Sequence, residues 1–184
     1  MSDPQDLAAF LDLGWQRLTR GVADRHAAAR HPVFATVSPD GTPEARTVVL
    51  RGANRGESTV EIHTDGGSDK VVSLRSNPRA QLLVWDEKAK LQIRLSTRVT
   101  ILQGGEVADR WNNVPDGSRM AYGASPNPGT SIPNAHAYTK LASLDWFTVL
   151  TCRIESIELM QLIDPHRRAV FMACNGWFGE WRVP

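Results

Sequence analysis

The first apolar pattern in the chain has the period of an α-helix. Apolar residues recur at helical spacing at Leu7, Leu11, Leu18 and Val22. Ser2-Asp3-Pro4 provides a typical start signal, and His31-Pro32 provides a stop. The pattern therefore predicts an N-terminal helix over about residues 4–29.

Beyond Pro32 the period changes to two, which is typical of β-strands. The clearest case is LQIRLSTRVTI at residues 91–101, where alternation predicts one buried face and one polar face. Similar patterns predict strands at residues 33–37, 45–51, 59–64, 80–85, 147–162, 168–173 and near Trp177. Helices are predicted at 68–75 and 105–122, and a long Pro- and Gly-rich loop at 123–137. Strands with mostly short turns predict a mainly β (α+β) antiparallel fold that closes, or nearly closes, into a barrel.

Length and composition narrow the class of protein. A chain of 184 residues predicts a single domain over 1–184, with the barrel from about residue 33 onward. The net charge of +1 gives no electrostatic case for nucleic acid, and no apolar run is long enough to span a membrane. The N-terminus lacks a signal-peptide pattern, and Cys152 and Cys174 are predicted to be buried, reduced thiols, so we expect a cytoplasmic protein.

The usual catalytic signatures are missing from the sequence. It contains no GxSxG, no HExxH, no Walker loop and no GxGxxG after the first strand. Its five histidines are scattered without metal-ligand spacing, so no metal site is expected.

One turn does carry candidate chemistry. In IHTDGGSDK two glycines precede Ser68 and Lys70 at the start of a predicted helix. Free amides, the positive end of the helix dipole, a hydroxyl and an ammonium together suit a phosphate group. The alternative is an ordinary capped turn with an exposed lysine. Asp69 would repel an anion unless its carboxylate points away.

The order of six segments resembles the pyridoxamine 5′-phosphate oxidase family. The segments are RTVVLR, IHTDGGSDK, NPRAQLLVWD, LQIRL, IELMQL and HRRAVF, and the resemblance covers roughly residues 33–184. It implies an antiparallel split β-barrel with an N-terminal helix and short inserted helices. It also implies flavin mononucleotide (FMN) as the cofactor, bound at the interface of a homodimer.

The resemblance also implies roles for individual residues. The strand that contacts the flavin ring and phosphate matches Arg46, Thr47, Val48, Val49, Leu50 and Arg51. Arg46 would meet the phosphate, and Arg51 stands where the family usually has lysine. The residues that follow along the cofactor match His63, Thr64, Ser68, Asp69, Lys70, Gln92 and Arg168. Among these Asp69 replaces the usual arginine, Gln92 would hydrogen-bond the ring, and Arg168 would be a late flavin contact.

The sequence departs from the family's pattern mainly at positions that bind the substrate in that family. Arg110 and Val114 stand where the family has tyrosine and arginine for the substrate phosphate, although Ser118 is kept. Asp164 replaces a further arginine, and Phe147 replaces a tryptophan near the flavin. We therefore expect a flavoprotein that is not a competent pyridoxamine phosphate oxidase.

The leading functional hypothesis is an FMN-dependent oxidoreductase that acts on an unidentified small molecule. His166 is the candidate substrate-side residue, with a surface turn histidine as the equal alternative. A non-catalytic flavin-binding or sensing protein is the first alternative. A related barrel that binds haem, with His63 or His136 as a ligand, or one that binds a deazaflavin is the second. A purely structural domain is the least favoured.

Overall fold

The N-terminal helix is shorter than predicted. The computed structural model describes residues 6–184, so the proposed start signal at residues 2–4 lies outside it. Helix α1 (Leu7–Ala23) begins at Asp6, whose carboxylate accepts a hydrogen bond from the amide of Ala9 at 3.1 Å. It does not extend to residue 29, because the chain becomes extended at Asp24 and folds back as a 3₁₀ turn over residues 28–30.

The remaining elements follow the predicted order, except for two short strands at 124–125 and 139–140, of which the first lies within the predicted loop. The strands within residues 6–184 are β1 (Val33–Val37), β2 (Pro43–Thr47), β3 (Leu50–Asn54), β4 (Thr59–Asp65), β5 (Arg79–Asp86), β6 (Leu91–Gln103), β7 (Ala124–Ser125), β8 (Thr139–Lys140), β9 (Phe147–Gln161), β10 (Arg167–Met172) and β11 (Gly179–Arg182). The further helices are α2 (Asp69–Ser76), α3 (Ala108–Asn112) and α4 (Asp116–Arg119). The predicted strand over 45–51 is wrong, since β2 and β3 divide it.

All strands except β7 and β8 form one antiparallel sheet. Its order is β11-β10-β9-β6-β5-β1-β2, and the β3–β4 hairpin joins it where β4 pairs with β9. The first half of β9 pairs with β4, the second half pairs with β10, and β6 pairs along the length of β9. This branching at β9 curls the sheet around a shared core and confirms the predicted mainly β antiparallel fold.

The core fills the concave side of the sheet. Alternation along β6 is as predicted, with Leu91, Ile93 and Leu95 fully buried and the intervening side chains half-buried. Helix α1 packs against the same core through Phe10 and Trp15. The helix therefore closes one side of the barrel.

The predictions for the two cysteines have different outcomes. Cys152 is buried as predicted, whereas Cys174 is exposed, so the prediction of two buried thiols is wrong for the second. Cys174 lies on an open 3₁₀ turn between β10 and β11, outside the core. Within residues 6–184 no helix has the length and apolar character to cross a bilayer, and no three potential metal ligands are grouped together.

Gly21 sets how closely α1 approaches the 3₁₀ turn. A Cβ atom at this position would lie 2.6 Å from the carbonyl carbon of Ala29, which is backbone and cannot move freely. We expect Gly21→Ala to lower the free energy of unfolding by about 1–3 kcal/mol, measured by urea denaturation. Gly117→Ala is the matched control, because a Cβ there meets nothing within 4 Å. Equal stability of the two variants would contradict this packing constraint.

Candidate functional site

Arg46 and Arg51 lie on two different strands. Strand β1 starts just after Pro32, so the ladder that pairs β1 with β2 ends at Thr47. The amide of Val48 donates to the carbonyl of Pro32 at 3.0 Å, and the chain then leaves to pair with β4. This crossing explains why the single strand predicted over 45–51 does not form. Arg51 follows the crossing, at a bulge in the β3–β4 pairing.

Two cationic side chains converge beside the start of α2. Lys70 Nζ donates a hydrogen bond to Thr64 Oγ1 at 3.1 Å. Burial lowers the pKa of the Lys70 ammonium, and the positive charge of Arg46 lowers it further. Arg46 and Lys70 therefore face the same space, as expected for an anion-binding cradle. We call Arg46, Thr64 and Lys70 the cradle.

Glu44 fixes the position of Arg46 within the cradle. One carboxylate oxygen, Oε2, accepts hydrogen bonds from Arg46 Nη2 at 2.9 Å, Thr36 Oγ1 at 3.0 Å and Ser73 Oγ at 2.9 Å. These bonds lower the pKa of the Glu44 carboxyl, with that from Ser73 contributing most. The sequence analysis missed Glu44, although its place two residues before Arg46 on one strand puts both on one face.

The glycine turn uses its amides internally. The amide of Gly66 donates to the carbonyl of Trp146 at 2.7 Å, and that of Gly67 donates to Asp65 Oδ1 at 2.8 Å. The Ser68 hydroxyl likewise donates to the backbone oxygen of Asp65 at 2.7 Å. The glycine amides and the Ser68 hydroxyl are therefore not free for a ligand, and the turn serves to position α2. The first amides of α2 itself, at Asp69 and Lys70, have no acceptor within the helix, so their part in phosphate binding stays a prediction.

The loop over residues 123–145 is tied to this turn. Asp65 Oδ2 accepts the amides of Gly123 at 2.7 Å and Ala124 at 3.3 Å. Farther along, a Cβ at Gly129 would lie 2.6 Å from a carboxylate oxygen of Asp69. The carboxylate of Asp69 thus lies against the loop, although it is still close enough to attract Lys70.

A second group of polar side chains lies on the outer face of β3 and β4. His63 Nε2 is 2.8 Å from Glu61 Oε1, and Arg110 Nε donates to Glu61 Oε2 at 3.2 Å. The hydrogen bond with His63 is the largest cause of the lowered pKa of Glu61. Arg51 interacts with the hydroxyl of Tyr122, whose pKa is raised by burial. Glu61 and Tyr122 were not among the predicted site residues.

A third group crosses three neighbouring strands. Gln92 of β6 is in register with Met160 of β9, which is in register with Arg168 of β10. Arg168 Nη2 donates to Glu158 at 3.0 Å. The candidate His166 is exposed in the turn that precedes Arg168.

The cradle and the third group use opposite faces of the sheet. Arg46 is in register with Phe34, whose side chain lies in the core. Gln92 stands between Leu91 and Ile93, which also point into the core, so Gln92 points outward. One chain therefore brings Arg46, Thr64 and Lys70 together but leaves Gln92 and Arg168 apart from them.

Residues 13–103, close to half of the chain, match the family model described as "Pyridoxamine 5'-phosphate oxidase, FMN-binding domain". The matched segment contains the cradle, Arg51, His63 and Gln92. Over these residues the chain is similar to that domain family, and its fold is a mostly antiparallel β-sheet with a few helices, as in split-barrel proteins. A curated pyridoxine/pyridoxamine 5′-phosphate oxidase of Acinetobacter baumannii (strain SDF) is 34% identical over 97 residues. That match covers 52% of this chain and 44% of the relative, so it spans less than half of that enzyme.

Solved structures have the same fold along the whole chain. A pyridoxamine 5′-phosphate oxidase-related, FMN-binding protein of Nostoc punctiforme matches with a TM-score of 0.76 and 22% identity, with full coverage of both chains. PhzG of Burkholderia lata, solved with tetrahydrophenazine-1-carboxylic acid, matches with a TM-score of 0.75 and 19% identity, covering 99% of this chain and 95% of that one.

Apolar side chains pack around the inserted helices, where the sequence departs from the family that it resembles. Val114 is buried in a small cluster with Tyr122 and Phe147. Trp111 adds to this cluster, with its ring centroid 5.3 Å from that of Phe147. Arg110 is paired with Glu61. The inserted helices are thus held by apolar packing and one ion pair.

Glu61 of the second group makes a contribution to the free energy of unfolding that depends on pH. Because its folded pKa lies below the ordinary value of 4.5, it contributes stability above pH 4.5 that is lost as pH falls through the lowered pKa. We expect Glu61→Gln to lower the free energy of unfolding by about 1 kcal/mol at pH 7, and the gap from wild type to narrow by pH 3. Urea denaturation at both pH values measures this, with exposed Glu57→Gln as control. A gap independent of pH would contradict the assignment.

Proposed function

We propose that this protein binds FMN and acts as an FMN-dependent oxidoreductase on a small molecule. The observation that carries the proposal is the convergence of Arg46 and Lys70 beside α2, inside the segment that matches an FMN-binding domain model. In this proposal the two cations, with Thr64 and the first turn of α2, hold the phosphate. Ser68 shapes the turn, and Asp69 meets the loop.

Unpaired donors support a fit for the rest of the cofactor. Within residues 6–184, the buried Nε atoms of Arg51 and Arg168 have no hydrogen-bond acceptor. Such atoms are costly unless a partner satisfies them, and a flavin offers ring oxygens and nitrogens. We assign Arg51, His63, Gln92 and Arg168 to the ring.

The segment that crosses from β2 to β3 contributes mainly backbone. Val48 and Leu50 point into the core, so a ligand beside them would meet their amides and carbonyls. Thr47 is exposed and Val49 is half-buried, so their side chains are open to contact.

A homodimer would bring the separated groups together. Arg46 and Gln92 project from opposite faces of one sheet, so a single flavin cannot contact both residues of the same chain. A second copy would supply the missing contact. The outer face also exposes a run of apolar side chains that a partner would cover, namely Val33, Leu83 and Trp85. We infer that the cofactor lies between two subunits.

Bound FMN would supply hydride acceptance and donation, while the chain orients the ring and tunes its charge. Arg51 and Arg168 would stabilise negative charge on the reduced ring. The substrate is proposed to lack the phosphate of pyridoxamine phosphate, because Val114 is apolar and Asp164 is an exposed acid. His166 remains the substrate-side candidate, and the expected compartment is the cytoplasm.

We expect purified protein to be yellow, and flavin-stripped protein to bind FMN saturably. Arg46→Ala and Lys70→Ala should each weaken FMN binding by about tenfold or more, because each removes a charge from the phosphate. Fluorescence titration measures the dissociation constant, and exposed Lys88→Ala is the matched control. Unchanged affinity in both cradle variants would contradict the assigned site.

Catalysis needs a separate measurement. With FMN bound, reduction by a nicotinamide donor and reoxidation by an acceptor should appear as bleaching and recovery of the flavin absorbance. Bound flavin that exchanges no electrons with any such donor would favour the non-catalytic binder. A Soret absorption band in place of the flavin spectrum would favour haem.

A further inference from the structure

A carboxylate of the chain itself, that of Glu44, lies beside the cradle. Glu44 Oε2 is held by a guanidinium and two hydroxyls, from Arg46, Thr36 and Ser73, at 2.9–3.0 Å. These are the donor types that bind a phosphate oxygen. Within the chain, therefore, a carboxylate already occupies donors that a phosphate would use.

The hydrogen bonds leave Arg46 little freedom. Its Nη1 donates to Thr36 Oγ1 at 2.6 Å and to the carbonyl of Phe34 at 3.3 Å, while Nη2 donates to Glu44. The Arg46 side chain is 23% exposed and that of Glu44 is 27% exposed, so both are open to a ligand and to exchange of partners.

Charged groups of both signs lie around Lys70. Arg46 repels the Lys70 ammonium, whereas Glu44, Asp65 and Asp69 attract it. Asp65 is bonded to backbone amides and Asp69 lies against the loop. Glu44 bonds Arg46 directly, so it offsets part of the positive charge that a phosphate dianion would meet.

We propose that Glu44 is a built-in competitor of the cofactor phosphate, which sets how strongly this chain distinguishes a phosphorylated flavin from an unphosphorylated one. This inference rests on the proposed FMN site. Arg46 Nη2 would then donate to the FMN phosphate, while Glu44 would keep the hydroxyls of Thr36 and Ser73. The Glu44 carboxylate would remain beside the phosphate and oppose its binding.

The competing role is to be distinguished from a positioning role. If Glu44 served to hold Arg46 for the phosphate, removing its charge would weaken FMN binding. If it competes, removing the charge strengthens binding of FMN and leaves riboflavin, which lacks the phosphate, unchanged. The ratio of the two affinities separates these roles, because a merely structural effect moves both ligands together.

The test compares wild type with Glu44→Gln, which keeps the size and an acceptor oxygen but removes the charge. We expect Glu44→Gln to lower the FMN dissociation constant by about five- to tenfold at low salt, with less effect at high salt, and to leave that of riboflavin unchanged. Glu57→Gln, an exposed acid with no contact to the cradle, controls for net charge. Glu44→Ala removes the same charge with a different shape, in case the glutamine variant folds poorly, and circular dichroism checks both.

The outcomes are distinct. Weaker or unchanged FMN binding in both folded Glu44 variants overturns the inference while leaving the FMN site intact. A parallel shift for FMN and riboflavin overturns it too, since the effect would then not involve the phosphate. If folded wild-type protein does not bind FMN, the proposed function itself fails, and the inference fails with it.

Discussion

The architecture depends on the pairing of strand β9 with three neighbours. Strand β6 pairs along the length of β9, while β4 pairs with its first half and β10 with its second. Leu150, Ile157 and Leu159 are fully buried along β9, so the strand is also part of the core. Because β9 connects these elements, it fixes where Arg51 and His63 lie relative to Arg168. A register shift in β9 would therefore move His63, Gln92 and Arg168 relative to one another.

The insertion between β6 and β9 is attached by two unlike interactions. An apolar cluster around Phe147 holds it against the outer face of the barrel, and the carboxylate of Asp65 binds the amides of Gly123 and Ala124. Asp65 also accepts the amide of Gly67 in the turn before α2. One buried carboxylate thus joins the turn beside the proposed phosphate site to the inserted loop.

Electrostatics in the cradle is a balance of opposing charges. Burial and Arg46 both disfavour the charged form of Lys70, and three nearby carboxylates favour it. Arg46 is paired with Glu44, and Lys70 donates a hydrogen bond to Thr64. Affinity for a phosphate therefore depends on how easily the phosphate displaces those partners. The family's arginine at the position of Asp69 would change that balance, whereas this chain has an acid that contacts Gly129.

The sequence by itself determined the elements and the residue types at the site. Alternation identified β4, β5 and β6, and Ser68 and Lys70 after two glycines indicated a phosphate site, to which the family resemblance added Arg46. These features depend on neighbours two to four residues apart, which periodicity reports directly. Only the tertiary structure decided the crossing between Thr47 and Leu50, the internal pairing of the turn amides, and the bond from Ser73 to Glu44, 29 residues away. Such contacts depend on which strand runs beside which, and a local pattern carries no information about a distant partner.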